Sequence, residues 1–380
     1  MHVVIVGGGI YGVSAAWALR RSGCRVSLIE RNRVPSRLAS SSDRHRLIRY
    51  AYGDQLGYMR MVGDAYAAWE RVWADLSQRL YVETGTLGLG EAADGWSNRS
   101  FAALAGDGHA VEELSRPQLA ERFPLLDPVG VEHAFYLKSG GTLLAQRIVA
   151  GLARWLREHD VEFLEGVAVT AVDRDRARVT LADGRVLAGD LVLISAGAWA
   201  HELAPELGAR AVPSRQVVTY LIPPPGTAQA WARHPMILNI GTGFYLVPSV
   251  IAPDGRATGL KIGDHTFSRI GHPERDRDVA RAETLEQLEL CRRRLRNFAQ
   301  YRVEETRTCF YTVTIDDSEE FIAQPLGRAA WLLSCCSGHG FKFGAAIGEG
   351  FAAMVGGRIA PYAFSRWVAG ATDVPSPVRR

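Results

Sequence analysis

The chain has 380 residues, about two or three domains at roughly 150 residues each, with room for interleaved segments. Apolar residues make up 47% and charged residues 22%, so the chain can bury substantial cores and disorder as its main state is excluded. A formal net charge of +3, with no separate arginine-rich arm, excludes nucleic acid as the expected partner.

Only three of the 44 basic residues are lysine: Lys138, Lys261 and Lys342. A coding bias toward arginine explains the surface, and it singles out each lysine, whose pKa can move where that of arginine cannot. The five cysteines (Cys24, Cys291, Cys309, Cys335 and Cys336) have no CxxC spacing, against both a disulfide framework and a structural zinc site. Residues 3–19 carry no charge but lack a basic leader and hold four glycines, a poor spanning helix. A cytoplasmic location is expected, with no membrane partner.

In chain order, His2-Val3-Val4-Ile5-Val6 reads as a strand buried on both faces, followed by the turn Gly7-Gly8-Gly9-Ile10-Tyr11-Gly12. Val13 to Arg21 reads as a helix and Arg25 to Glu30 as a second strand, a βαβ unit that implies parallel pairing. An amphipathic helix is expected over 58–79, with Tyr66, Trp69 and Trp73 in the core, and another over 146–159. Strands follow near 161–172, 176–181 and 185–195, with Asp183-Gly184 as a hairpin turn, then at 215–222 and 257–267. A charged helix is expected around 278–299, strands at 308–314 and 330–336, a glycine turn at 338–340 and a helix from about Phe343. Pro375 to Arg380 reads as a loose tail.

The chemistry begins at Gly7-x-Gly9-x-x-Gly12. Glycines between strand and helix let backbone approach a pyrophosphate at the helix N-terminus, and Glu30 ends the next strand where a carboxylate accepts ribose hydroxyls. This argues for a dinucleotide without a 2′-phosphate and leaves FAD and NAD open. Leu191 to Trp199 is a buried strand ending in a small-residue turn that suits a cofactor. Ser337-Gly338-His339-Gly340-Phe341-Lys342 aims backbone N–H groups and a lysine at one point, and Thr308-Cys309-Phe310-Tyr311-Thr312 places a cysteine on a strand.

These segments, taken with Arg46-Leu47-Ile48-Arg49-Tyr50-Ala51-Tyr52-Gly53 and Lys261-x-Gly263-x-His265, resemble the monomeric sarcosine oxidase, N-methyltryptophan oxidase and pipecolate oxidase group of D-amino-acid-oxidase-like flavoproteins, over residues 2 to about 358. The resemblance implies an α/β plus α+β architecture: a Rossmann-like FAD-binding domain from 1–84, 142–214 and 316–380, and a substrate domain with a large mixed β-sheet from 85–141 and 215–315. It implies FAD contacts at Gly7, Gly9, Ile10, Tyr11, Gly12, Glu30, Arg46, Val169, Gly197, Trp199, Gly338, Gly340 and Lys342. Cys309 occupies the position that forms a thioether with the flavin, a bond that needs a thiolate. Arg49 and Lys342 match the pair holding a substrate carboxylate. Lys261 matches the lysine linked to oxygen activation, where a positive charge stabilises superoxide. His265, Tyr245 and Tyr311 match the substrate-side wall.

Three departures concern the pocket: His45 where a small polar residue is expected, Asp264 in place of an aromatic, and Cys335-Cys336 before Ser337. The expected activity is oxidation of a secondary-amine amino acid, N-methyl or cyclic, with O2 as electron acceptor and a monomeric protein. The alternatives are a dehydrogenase with another acceptor or a biosynthetic imine oxidase, a nicotinamide enzyme, and a flavin-binding module without turnover.

Overall fold

The structure, a computed structural model, describes residues 1–92, 95–265 and 269–379. His2–Val6 lies between Arg25–Glu30 and Leu191–Ile194, parallel to both. Val3, Val4 and Ile5 are fully buried, as neighbours on both edges and helices on a face require. Six strands form this sheet, in the order 322–325, 330–334, 191–194, 2–6, 25–30 and 162–165. The helix Ile10–Arg21 crosses Gly344–Val355 closely, and a Cβ on Gly348 would overlap the backbone of Ser14. Two distant segments therefore join at the nucleotide end of the sheet.

A second sheet has eight strands, in the order 302–314, 211–222, 260–264, 244–247, 236–239, 86–90, 133–137 and 111–113. Its longest pairing runs antiparallel from Ala211 opposite Thr314 to Ile222 opposite Arg302. Met236–Asn239 is parallel to Thr86–Gly90, and the remaining neighbours are antiparallel. The sheet is mixed, as expected. Two smaller sheets, 169–173 with 178–181 and 186–188, and 46–48 with 141–143 and 81–83, complete the set among the described residues.

Several boundaries move for identifiable reasons. The expected strand at 161–172 is two elements, because Gly166 at φ +75° turns the chain out of the six-stranded sheet before Val169–Asp173. The helix expected over 278–299 is Arg281–Arg292; beyond it Leu295 bridges to Leu126 and Arg294 donates to the Val129 carbonyl at 2.6 Å. The helix expected over 58–79 is Leu56–Leu76, stopped by Ser77 at φ +50°. The strand expected over 257–267 is Leu260–Asp264; its expected end at 266–267 lies outside the described residues. The described part of the tail is not loose: Val378 is buried and Arg379 Nε donates to the buried Asp64 carboxylate at 2.5 Å; Arg380 lies outside the described residues. No described helix is long and apolar enough to cross a membrane.

Candidate functional site

A cleft of about 1050 Å³ opens at the carboxyl end of the parallel strands, lined by Gly7, Gly9, Ile10, Tyr11, Glu30, Val169, Gly197 and Trp199 among others. Gly7 has φ +107°, and a Cβ there would stand 2.5 Å from the Ser195 carbonyl oxygen. Gly12 does not line the cleft. A Cβ on it would overlap the Gly7 carbonyl, so its role is close packing of helix on strand. Glu30 is buried; its carboxylate accepts from the Gly8 N–H at 2.8 Å and the Asn32 N–H at 3.0 Å, which pins the loop and leaves lone pairs for a ribose. The hydroxyls of Tyr11 and Ser334, both on this cleft, are buried without a hydrogen-bond partner. A glycine cradle, a carboxylate at the second strand's end and unpaired hydroxyls fit an FAD.

A second cavity of about 630 Å³ is lined by Arg46, Arg49, Tyr245, Lys261, Asp264, His265, Tyr311, Gly338, His339 and Lys342 among others. Residues separated by nearly 300 positions thus meet at one place. Arg49 and Lys342 converge on Tyr52: the guanidinium carbon lies 4.3 Å and the ammonium nitrogen 5.3 Å from its ring centre. Arg49 is buried, and its Nε and Nη1 have no hydrogen-bond partner. Burial lowers its pKa, against the raising influence of Tyr52 and Glu319. Two buried guanidinium donors are thus left unsatisfied by the protein's own groups.

Lys342 is held from beneath. Its Nζ donates to the Tyr52 hydroxyl at 2.9 Å and to the His339 carbonyl at 2.8 Å. The Tyr52 hydroxyl lies 3.1 Å from His339 Nδ1, and His339 Nε2 lies 3.2 Å from the Glu319 carbonyl. A carbonyl only accepts, so these partners assign the proton to Nε2 and leave Nδ1 to accept from Tyr52. Burial, then Lys342 and Arg49, hold the His339 pKa well below its ordinary value, consistent with that neutral ring. Burial and Arg49 likewise push Lys342 well down, opposed by Glu319. Trp69 Nε1 donates to the Lys342 carbonyl at 2.7 Å, so the expected core tryptophan also fixes this turn. Gly340 lines neither cavity; a Cβ there would overlap the Tyr11 hydroxyl.

The opposite wall carries Lys261, 2% exposed, which donates to Asp43 Oδ2 at 2.6 Å. Burial and then Arg46 lower its pKa to about 8, while Asp43 raises it. Asp43 also accepts from Arg46, Arg307 and the Tyr220 hydroxyl, and these cations hold its carboxyl well below the ordinary range although burial alone would raise it. His45 is fully buried beside this group, with Nε2 3.1 Å from the Gly259 carbonyl and its pKa pushed down to about 4 by burial and Lys261. His265 Nε2 lies 3.1 Å from Glu319 Oε1, and the Asp264 carboxylate accepts from Gln287.

Cys309 is buried and lines a third cavity, about 960 Å³, with Arg277, Arg307 and Thr308. Ala39 is shared between that cavity and the dinucleotide cleft. Arg46 Nη2 lies 3.3 Å from Cys309 Sγ, which joins the thiol to the cationic cavity. Lys138 is exposed at the end of the strand His133–Leu137 and lines none of these spaces. Sequence reasoning missed Asp43, Tyr52 and Glu319 as site residues. The signal for Asp43 was a single acid three residues before Arg46 in a run of basic residues.

A Rossmann-type cleft beside a cationic cavity defines an oxidoreductase scaffold of the flavoprotein kind. The model of the DAO family, FAD dependent oxidoreductase, matches residues 2–354, and the chain belongs to that family. It is 25% identical over 362 residues to a monomeric sarcosine oxidase of Bacillus sp. (strain NS-129), covering 93% of this chain and 92% of that one. It is 27% identical over 365 residues to the N-methyl-L-tryptophan oxidase of Citrobacter koseri, covering 91% and 92%. Among solved structures, NikD, an unusual amino acid oxidase essential for nikkomycin biosynthesis, superposes with a TM-score of 0.82 at 20% identity, covering 98% of both chains. The L-proline dehydrogenase from P. horikoshii gives 0.80 at 20% identity, covering 97% of this chain and 96% of that one.

Proposed function

We propose that the protein oxidises a secondary-amine amino acid, N-methylated or cyclic, using FAD attached through Cys309, and passes the electrons to O2. The observation that carries this reading is the convergence of Arg49 and Lys342 over Tyr52, with two guanidinium nitrogens buried and unpaired. A bound flavin would supply the redox chemistry, taking a hydride equivalent from the carbon next to the amine and returning two electrons to O2, which would leave as hydrogen peroxide. The chain's share is placement and charge.

Arg49 and Lys342 grip the carboxylate, and Tyr52 and His339 hold the lysine in register. Four cationic side chains line the cavity (Arg46, Arg49, Lys261 and Lys342), so a substrate enters more favourably as an anion with its amine neutral. The neutral amine is the form able to lose hydride. Tyr245 and Tyr311 wall the substrate, and His265 faces it from its pairing with Glu319. Lys261 would provide a fixed positive charge that favours the reduction of O2. Gly7, Gly9, Ile10, Tyr11, Glu30, Val169, Gly197 and Trp199 would hold the dinucleotide, with Arg46 and Gly338 as further flavin contacts. The product imine is released or hydrolysed by water.

The division into a cofactor domain of 1–84, 142–214 and 316–380 and a substrate domain of 85–141 and 215–315 is supported by how the strands partition. All six strands of the parallel-centred sheet come from the first set. The eight-stranded sheet comes from the second, apart from the start of Ala211–Ile222. We take the acting unit to be a monomer.

The test is anaerobic mixing of holoenzyme with sarcosine, N-methyl amino acids, L-proline and L-pipecolate, followed by flavin bleaching, with the decarboxylated amines as controls. Bleaching by the acids and not the amines, and one peroxide per turnover in air, is the expected result. Bleaching by amines alone removes the carboxylate-binding role of Arg49 and Lys342. For the linkage, wild-type protein precipitated with acid keeps its flavin and Cys309→Ser releases it; retention by the variant moves the attachment elsewhere.

A further inference from the structure

Asp43 lines neither the dinucleotide cleft nor the cationic cavity, yet two cations of the cavity wall, Lys261 and Arg46, donate to its carboxylate. Its side chain is 1% exposed, and each oxygen has several donors. Oδ2 accepts from Lys261 and Arg46. Oδ1 accepts from Arg307, from the Tyr220 hydroxyl and from the Arg44 N–H at 2.9 Å. The donors come from different places: Arg46 from the short strand 46–48, Lys261 from 260–264, Tyr220 from 211–222 and Arg307 from 302–314. Three cations around one carboxylate, with Lys261 and Asp43 sealed from water, leave the lysine dependent on that carboxylate for its proton.

We propose that Asp43 is the positioning residue for Lys261, clamping its ammonium beside Arg46 and keeping it protonated at the wall of the cavity. The groups facing Lys261 are few and fixed. Asp43, His45 and Arg46 approach from the N-terminal segment, and the neutral His45 adds no charge near neutrality. Tyr220 pairs directly opposite Lys261 in the sheet, and the Tyr245 ring centre lies 5.9 Å from Nζ. Arg307, Cys309 and Tyr311 approach from 302–314. Among these Asp43 is the carboxylate. Its loss leaves Lys261 facing Arg46 with no counter-charge, and the proton leaves the lysine because the arginine cannot give up its own.

The proposal deepens the oxidase reading and rests on it for the charge's purpose, but its test needs no turnover. Full-length holoenzyme labelled with 13Cε-lysine gives three lysine resonances, since the chain has three lysines. Lys261→Met identifies the relevant one. In wild-type protein its titration midpoint is expected at about 8. Asp43→Asn is expected to lower that midpoint by about one pH unit or more, and Asp43→Glu to restore part of the change. A midpoint in Asp43→Asn within a few tenths of wild type, or above it, overturns the proposal. If Asp43→Asn does not fold, as a thermal melt shows, Arg307→Gln decides. That variant leaves Asp43 with one fewer cation to serve, so the Lys261 midpoint is expected to rise; no rise overturns the proposal. Failure of flavin bleaching with every amino acid would remove the oxidase reading and leave this titration unaffected.

Discussion

Replacing Arg49 by methionine separates the cost of building the site from its use. In the absence of an anion the guanidinium is buried with Nε and Nη1 unpaired, beside the Lys342 ammonium that shares the Tyr52 ring. An uncompensated buried charge costs several kcal/mol. Its contacts over Tyr52 at 4.3 Å and Trp96 at 5.5 Å return about 0.5–2 kcal/mol. Methionine fills similar space without the charge, so Arg49→Met is expected to stabilise the substrate-free protein by about 1–3 kcal/mol, a rise of about 2–5 °C in Tm. The same change removes a two-bond, charge-assisted grip on the carboxylate worth about 3–4 kcal/mol, so the substrate dissociation constant rises about 10²–10³-fold. It also relieves the repulsion that lowers the Lys342 pKa. Calorimetry gives the first quantity, and anaerobic flavin reduction against substrate concentration gives the second. A lower Tm together with unchanged substrate affinity would refute the reasoning, because Arg49 would then be a structural cation and not a waiting ligand site.

Gly7→Ala is expected to lose stability by about 3 kcal/mol or more and to lower flavin content, since its Cβ meets the Ser195 carbonyl at 2.5 Å and its φ of +107° is strained for alanine; a melt and the ratio of flavin to protein absorbance check both. His45 has its pKa pushed down from 6.5 to about 4 in the folded chain. The unfolded state therefore binds more protons between those values, and His45 contributes stability that is present above about 6.5 and lost as pH falls toward 4, about 3 kcal/mol in all. Urea unfolding at pH 4.5 and 7 is expected to show a smaller difference in His45→Gln than in wild-type protein.

What was legible in the sequence was local. Gly7, Gly9 and Glu30 announce a dinucleotide cleft because glycine spacing and one acid are confined to a single βαβ unit. The rarity of lysine singled out Lys261 and Lys342, and both line the cationic cavity. The second sheet was largely hidden. Thr86–Gly90 contains two glycines, and Met236–Asn239 and Phe244–Val247 are four residues each, too short for a period to stand out. Their pairing joins Met236 to Thr86 across 150 residues, a contact no local pattern encodes.

Asp43 shows why a site's supporting residues are harder to read than its ligands. Lys261 and Arg49 belong to motifs with fixed spacing, whereas Asp43 sits in a run, Ser-Ser-Asp-Arg-His-Arg, that reads as a solvated loop. Its importance exists only after strands 211–222, 260–264 and 302–314 stack beside one another and deliver Tyr220, Lys261 and Arg307 to one carboxylate. The three cations on that carboxylate, Arg46, Lys261 and Arg307, each read alone have a bland surface explanation. Together, and out of water, they require a buried acid, since three unpaired cations in that volume would cost more than the sheet's packing could offset. The same argument applied in reverse to Arg49, whose Nε and Nη1 have no acid bonded to them, is what motivates the proposal that a substrate's carboxylate binds there.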